Sequence, residues 1–378
     1  MKRFLFVLAL VLPVCNMSAQ FYYQDSYNKE MLRHGIHSKF VRHEFVLPVQ
    51  VNGLNIYKAD LHTHSVYSDG NVTPKFRIQE AWRDGLDVLA VTEHIEYRPF
   101  EKEMKKYLSV ESDVTTDLNA AVREAEKEAA KWDIVVIPGT EITRDGEKVG
   151  HFNGLFTTDN NLIYDEDPVE AIRNAKKQGA LVMHNHPGWL RKDIDYTEAE
   201  KKAYKEGLID GVEVMNSAEF YPGIIDRVRE KGLFIAANTD IHASTDQDYG
   251  DSGCPRPMTL IFAGDRSLDS LKTALDECRT LALGFNTVCG DEQLLKDFFA
   301  ASVSLKFVRE DSRGRSHLML TNSTSVPYLL AQKGKNPVHL PPLSTISIST
   351  EKGQKALIFA VLNMFCSESQ HPVIELAF

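Results

Sequence analysis

Residues 59–64 read Ala-Asp-Leu-His-Thr-His. On an extended strand alternate side chains share a face, so Asp60, His62 and His64 point the same way. Two imidazoles side by side on one face make a chelate for a transition metal. Related groups recur along the chain: Ser68-Asp69-Gly70, Thr92-Glu93-His94, Gly139-Thr140-Glu141, His151, His184-Asn185-His186-Pro187-Gly188 and Asp240-Ile241-His242. Mixed imidazole and carboxylate donors suit zinc, manganese or iron and not calcium. A carboxylate has two oxygens and can bridge two ions. Clustered cations lower the pKa of bound water and clamp an anionic transition state, which is what hydrolysis of a phosphate ester requires.

These groups sit in or at the ends of short apolar, strand-like runs. Eight such runs occupy 56–62, 88–92, 134–139, 149–156, 180–185, 211–215, 233–239 and 258–262. Amphipathic segments lie between several of them. In 117–132, Leu118, Ala121, Val122, Ala125, Ala129 and Trp132 share one helical face. Segments 168–177 and 224–231 also read as helices, followed by Gly179 and Gly232. The alternation predicts a parallel α/β fold, a barrel first among the forms it could take. In such folds the C-terminal strand ends form the active face. Seven of the thirteen histidines (62, 64, 94, 151, 184, 186 and 242) fall at those places, with Asp69, Glu141 and Asp240. Independent placement does not explain that coincidence.

After about residue 300 the pattern changes. Short β-like segments, joined by Ser, Gly, Asn and Pro, predict a small all-β sandwich over 301–378. Residues 21–56 read as an extension packing on the barrel of 57–300. The whole chain has 378 residues, 43 Lys plus Arg against 53 Asp plus Glu, a net charge of −10, and 43% apolar residues. Those values exclude disorder, collagen and coiled coil as the main architecture. The acidic balance argues against broad nucleic-acid or anionic-membrane binding. Cys254, Cys278, Cys289 and Cys366 form no CxxC pair and no disulfide scaffold.

As a set and in order, the HxH, SDG, T-[DE]-H, GxE, HP and DxH motifs resemble those of the polymerase and histidinol phosphatase (PHP) family, over about 57–290. The resemblance implies a distorted (β/α)7 TIM-like barrel and three divalent transition-metal ions. It implies that His62, His64, Glu141 and Asp240 hold the first ion. Glu141 would bridge to a second ion held by His151 and His186, and Asp69, His94 and His242 would hold the third. Glu93 stands where many members have Asp. Glu141 and Asp240 are also the candidate catalytic groups. His184 joins them without a family counterpart, as ligand, proton donor or wall. Asp60 either fixes the tautomer of a ligating histidine or is a solvated strand residue.

The implied function is that of a metal-dependent phosphoesterase acting on a small mono- or diester. Arg98, Asn216 and Arg256 are the candidate substrate contacts, with Tyr221 a further possibility. Two alternatives remain: an amidohydrolase-type metal hydrolase, which also opens with HxH, and a non-catalytic binding module. Oligomeric state is not encoded in any of these signals. Lys2 and Arg3 precede an eleven-residue apolar run at 4–14. That run is too short to span a bilayer, which takes about twenty residues. It reads as a secretory leader cleaved after Ala19, with lipidation at Cys15 the weaker option. Location in the periplasm or on the surface of a bacterium follows. The mature protein is expected to begin near Gln20 and to fractionate outside the cytoplasm. N-terminal sequencing that finds Met1 on cytoplasmic protein would overturn the export reading.

Overall fold

The structure is a computed structural model describing residues 23–24, 29–31, 33–34, 41–102, 117–250 and 255–378. The expected leader, Cys15 and Cys254 lie outside the described residues. The chain divides into a unit ending at Val41 and a unit of Arg42–Phe378. In the first, Tyr23–Gln24 and Arg33–His34 pair antiparallel. Everything below concerns the second.

The strands that position the site are β1 (Leu54–Asp60), β2 (Val88–Val91), β3 (Val135–Ile142), β4 (Phe152–Leu155), β5 (Leu181–His184), β6 (Gly211–Asn216), β7 (Phe234–Asn238), β8 (Met258–Ala263) and β9 (Thr280–Gly284). They lie side by side in the order β6-β5-β4-β3-β2-β1-β8-β9, and β7 joins β6. Seven of them (β1, β2, β3, β5, β6, β7 and β9) run the same way. The expectation of a parallel arrangement needs correcting at two places. β4 is antiparallel to both neighbours, and β8 is antiparallel to β1. Only nine residues separate Ile142 from Phe152, whereas a parallel crossover takes about a dozen or more. Among the described residues, the connection from Asn238 to Met258 contains one five-residue helix, Thr245–Tyr249, too short to form a covering layer.

The sheet curls, and β7 closes it without a second backbone ladder. Among the described residues its ladder is to β6 alone. Toward β8 and β9 its backbone is satisfied by two threonine hydroxyls. Thr259 Oγ1 accepts from Ala237 N at 3.1 Å and lies 3.0 Å from Ala237 O as donor. Thr280 Oγ1 accepts from Ile235 N at 3.2 Å and donates to Ile235 O at 2.8 Å. Buried backbone groups must find partners, and here side chains supply them.

The helices obey local rules. α1 (Pro74–Arg83) starts with Thr73 accepting from Phe76 N and proline in the first turn. α2 (Ala120–Ala129) buries Ala121, Val122, Ala125 and Ala129 of the predicted face. α3 (Pro168–Lys177) has Asp167 as its cap. α4 (Glu198–Lys205) begins with a reciprocal cap between Thr197 and Glu200. α5 (Pro222–Lys231) ends at Gly232, whose φ of +63° suits glycine.

Beyond the helix Glu292–Ser302, which crosses the expected boundary at 300/301, the described elements are strands. Val303–Glu310, Ser316–Asn322 and Ser344–Ser349 form one antiparallel sheet. Tyr328–Ala331, Val338–Leu340, Ala356–Val361 and Val373–Ala377 form another. Met364–Phe365 instead pairs with Thr287–Gly290 of the main sheet. One buried apolar cluster runs from Leu260 and Phe262 through Phe298 and Phe299 to Tyr328 and Phe359. Phe299 meets Tyr328 edge to face at 4.9 Å. Phe299→Ala is therefore expected to lower unfolding free energy by about 3–5 kcal/mol, read as a lower denaturant midpoint with a single transition. A loss below about 1 kcal/mol would mean that the C-terminal strands and the barrel do not share a core.

Candidate metal centre

The ligand-type side chains stand on extended backbone that continues past the strand ends. Asp240 N donates to His62 O at 3.0 Å and His64 N to Ile241 O at 3.1 Å, so 62–64 and 240–242 lie side by side. Thr63 bridges to Ile241 and His94 to Glu141 in the same parallel sense. His151 directly precedes β4. Because β4 runs backwards, its first end lies on the same rim as the last ends of its neighbours. Asp240 and His186 have φ of +53° and +22°, conformations that L-residues adopt sparingly and that gather at functional sites.

The side chains converge on Glu141, which is fully buried. Its Oε1 lies 3.4 Å from His62 Nε2, 3.3 Å from His151 Nδ1 and 3.8 Å from His186 Nε2. Its Oε2 lies 3.5 Å from His64 Nε2 and 2.6 Å from His94 Nδ1. Asp240 Oδ1 faces His62 Nε2 at 3.2 Å and His64 Nε2 at 3.1 Å. Asp69 Oδ1 faces His94 Nε2 at 3.3 Å and His242 Nε2 at 3.1 Å. Three overlapping groups result: His64, Asp69, His94 and His242; His62, Glu141 and His186; His62, His64 and Asp240. Within each group the donor atoms lie within 4.8 Å of one another.

Four of these atoms, His62 Nε2, His64 Nε2, Asp69 Oδ1 and Glu141 Oε2, are buried without a hydrogen-bond partner. An unsatisfied buried polar atom costs about 1–3 kcal/mol, so four facing one space call for a cation. Electrostatics agree. Burial and the neighbouring His94 push His64 down to about 3, leaving a neutral ring. Burial alone would raise Glu141, but His94 and His62 hold its carboxyl well below the usual range. Burial opposes charge on His94, yet Glu141 and Asp69 raise it to about 10. Despite burial, His62, His94, His186 and His242 are all raised by the carboxylates they face, and so hold protons where a metal would carry the charge. The residues fit divalent ions.

A family model for the PHP domain matches residues 60–221. A two-domain protein of Bacteroides vulgatus, described as containing a predicted PHP-like metal-dependent phosphoesterase, matches with a TM-score of 0.82 and 33% identity, over 89% of this chain and 99% of its own. The chain belongs to the PHP family. An uncharacterised protein of Methanocaldococcus jannaschii is 25% identical over 198 residues, which are 50% of this chain and 82% of that protein.

Several residues brace the PHP centre from behind. Glu213, from the middle of β6 and fully buried, accepts at Oε1 from His62 Nδ1 (2.9 Å) and Asn238 Nδ2 (2.9 Å). Its Oε2 accepts from His186 N and Asn216 Nδ2, each at 2.8 Å. One carboxylate thus fixes the His62 ring, turning Nε2 toward the cluster, and the backbone of His186. Arg77 of α1, also buried, donates to the carbonyls of His64, Ile241, His242 and Ala243 at 2.8–3.3 Å. Glu93 accepts from Ser65 and Ser68 hydroxyls at 2.5 Å each, holding the turn that presents Asp69. A Cβ on Gly70 would lie 2.8 Å from the His64 backbone, so this turn closes only with glycine.

Other expected site residues lie elsewhere. His184 turns away from the cluster. Its Nε2 is 2.9 Å from Glu200 Oε1 and its Nδ1 3.0 Å from the Tyr204 hydroxyl. Arg256, expected at the substrate, is buried against Asp60 at 2.5 Å and Asp84 at 3.2 Å. Asp60 therefore pairs with Arg256 and with Thr239, whose hydroxyl donates at 2.5 Å, and bonds no histidine ring. Asn216 is spent on Glu213. Arg98 Nε donates to Tyr67 O at 3.1 Å. None of these five lines the cavity of about 590 Å³ above the cluster. Its wall includes Tyr97, Thr143, Arg144 and Trp189, which no local sequence pattern marked. Arg144 follows Glu141 by three residues, and that proximity was the available signal.

Removing the charge of Glu213 tests the bracing directly. Glu213→Gln keeps the size but replaces one acceptor oxygen with a donor group. Its affinity for added divalent metal should fall about 10–100-fold, measured by competition with a chromophoric chelator. Unchanged affinity would show that His62 and His186 hold their places without it.

Proposed function

We propose that the protein hydrolyses phosphate esters at a centre of three divalent transition-metal ions, zinc, manganese or iron. The observation that carries this reading is the convergence of four partnerless buried donors with five further ligand-type side chains beneath one open cavity. His62, His64, Glu141 and Asp240 would hold one ion. Glu141, His151 and His186 would hold a second, and Asp69, His94 and His242 a third. Such ions supply a lowered pKa for bound water and neutralisation of phosphate charge. The similarity to a predicted PHP-like metal-dependent phosphoesterase supports the same chemistry.

The protein's own residues then have distinct tasks. His151 Nε2 donates to the Arg144 carbonyl at 3.0 Å, which turns Nδ1 toward Glu141. His242 Nδ1 donates to Asp240 O at 2.7 Å, which turns Nε2 toward Asp69. Each ring is set in the tautomer that offers a lone pair to the centre. Arg144 is the one Lys or Arg among the described residues lining the cavity, and Glu96 holds its guanidinium. Recognition of phosphate thus falls chiefly to the ions. The leader-like N-terminus makes an exported enzyme acting on organic phosphates outside the cytoplasm the reading we favour.

Chelated protein should release no phosphate from 4-nitrophenyl phosphate or bis(4-nitrophenyl) phosphate. Re-addition of zinc, manganese or iron should restore turnover together with more than one bound ion per chain by elemental analysis. Glu141→Gln should lose metal and turnover together. Reconstituted protein that binds fewer than one ion, or that binds three and hydrolyses neither ester, would sink the proposal. Which of the two esters is cleaved decides between monoester and diester.

A further inference from the structure

The cavity above the metal centre carries apolar surface that the cluster does not explain. Trp189 lines it and keeps 39% of its surface exposed, Leu190 keeps 67%, and Tyr97 keeps 54%. Trp189 is not a loose side chain. Its six-membered ring rests on Gly146, where a Cβ would come within 2.8 Å of Cζ3 and 3.0 Å of Cε3. The imidazoles of His151 and His186 flank it at 5.3 and 5.2 Å. Trp189 N donates to His186 O at 2.9 Å, which ties its backbone to a ligand-type residue. The indole is thus braced beside the centre and still open to the cavity.

Leu190 adds a second oddity. Its φ is +58°, a region that bulky L-residues rarely enter. The loop holds that conformation by anchoring the next residue. Arg191 Nε donates to Gly146 O at 2.9 Å, and its guanidinium binds both oxygens of buried Glu200 at 2.6 and 3.0 Å. The result sends a leucine out to the mouth of the cavity, where it stays two-thirds exposed among the described residues. Tyr97 stands beside His94 at 5.9 Å, on the other flank of the cluster. Persistent strain and exposed apolar surface at one cavity mark a ligand contact.

The remaining wall narrows the ligand. Beyond the cluster, the wall's cation Arg144 is already paired with Glu96, and Asp145 is paired with Lys148. Among the described residues of the wall, no cation is free to take a second phosphate. The volume of about 590 Å³ lies within the roughly 300–1,000 Å³ of small-molecule sites, room for more than a phosphate group.

We propose that Trp189, Leu190 and Tyr97 form a subsite for a flat ring, so that the substrates are phosphate esters whose organic part is aromatic. An aryl alcohol and a nucleoside both meet that description. The proposal rests on the phosphoesterase reading for the phosphate end of the ligand, and on these three side chains for the other.

The test compares phosphonates, which share a head group and are not hydrolysed. Full-length, metal-loaded protein is titrated by calorimetry with methylphosphonate, phenylphosphonate and a nucleoside 5′-phosphonate. Phenylphosphonate should bind about tenfold tighter than methylphosphonate. That ratio should fall toward one in Trp189→Ala, shrink in Leu190→Gly, and survive in Trp189→Phe. Metal content of each variant, measured alongside, reports whether the centre is intact, and the ratio itself does not respond to a uniformly weakened centre. A nucleoside phosphonate tighter than phenylphosphonate assigns the subsite to a base, and the reverse order assigns it to a simple aryl group. Equal binding of methyl- and phenylphosphonate by the wild type overturns the subsite while leaving ester hydrolysis standing. A ring preference unchanged in both Trp189→Ala and Leu190→Gly overturns it too. Ring preference without hydrolysis of any aryl ester would instead remove the phosphoesterase reading and leave the subsite.

Discussion

A single buried carboxylate, Glu141, lies within 4 Å of five imidazoles: His62, His64, His94, His151 and His186. No other placement in the fold is so demanding. Five rings cannot approach one carboxylate unless four separate backbone segments arrive at one point, and a curled sheet with its strand ends on one rim is a way to bring them there. The rings repel one another once charged, and the carboxylates repel one another once bare. The arrangement is therefore stable only with positive charge distributed among them, whether as protons or as metal ions. Much of the surrounding polar structure follows from keeping that arrangement rigid.

The rigidity comes from buried ionic groups a short distance behind the rings. Glu213 holds one ligand-type ring and the backbone of another. Arg77 gathers four carbonyls from two segments, and Arg256 ties Asp60 beneath them to Asp84 on the far side of α1. Glu200 joins His184 and Arg191 and so steadies the loop after His186. Buried charges are expensive unless paired and hydrogen-bonded. Here each has a partner, and the pairs add directional constraint where a purely apolar packing would allow the turns to slide.

The ligand-type residues were legible in the sequence because metal chemistry forces recognisable types into short local spacings at strand ends. HxH, SDG and DxH need only a few adjacent residues to be seen. The supporting groups were not, for a physical reason. Arg256 meets Asp60 across 196 positions, and Glu213 meets His62 across 151, so no window of sequence contains both partners. Arg256 and Asn216 looked like substrate contacts because a polar residue near a strand end reads the same whether it faces the cavity or its underside. His184 was drawn toward the cluster by its neighbour His186, yet β5 ends at His184 and His186 has a φ of +22°, so the alternation of a strand does not carry through to it. The alternation of strands and helices was legible in outline, but the reversed β4 was not taken from the nine-residue connection that dictates it. The apolar wall, Tyr97 and Trp189, carries no motif at all.

The reversal of β4 has one more effect. Glu141 stands on the outgoing strand of this hairpin and His151 at the start of the returning one, so both stems are tied to the centre while 143–149 arch between them. Thr143, Arg144, Asp145 and Gly146 of that arch form part of the cavity wall. The β-ladder beneath the arch sets the register of both stems, and the Arg144 and Gly146 carbonyls tie the arch to His151 and Arg191. The hairpin is thus a single bracket shared by the centre and the pocket wall. A change in its register would move the pocket wall and the ligand-type residues together, so neither can be shifted without the other.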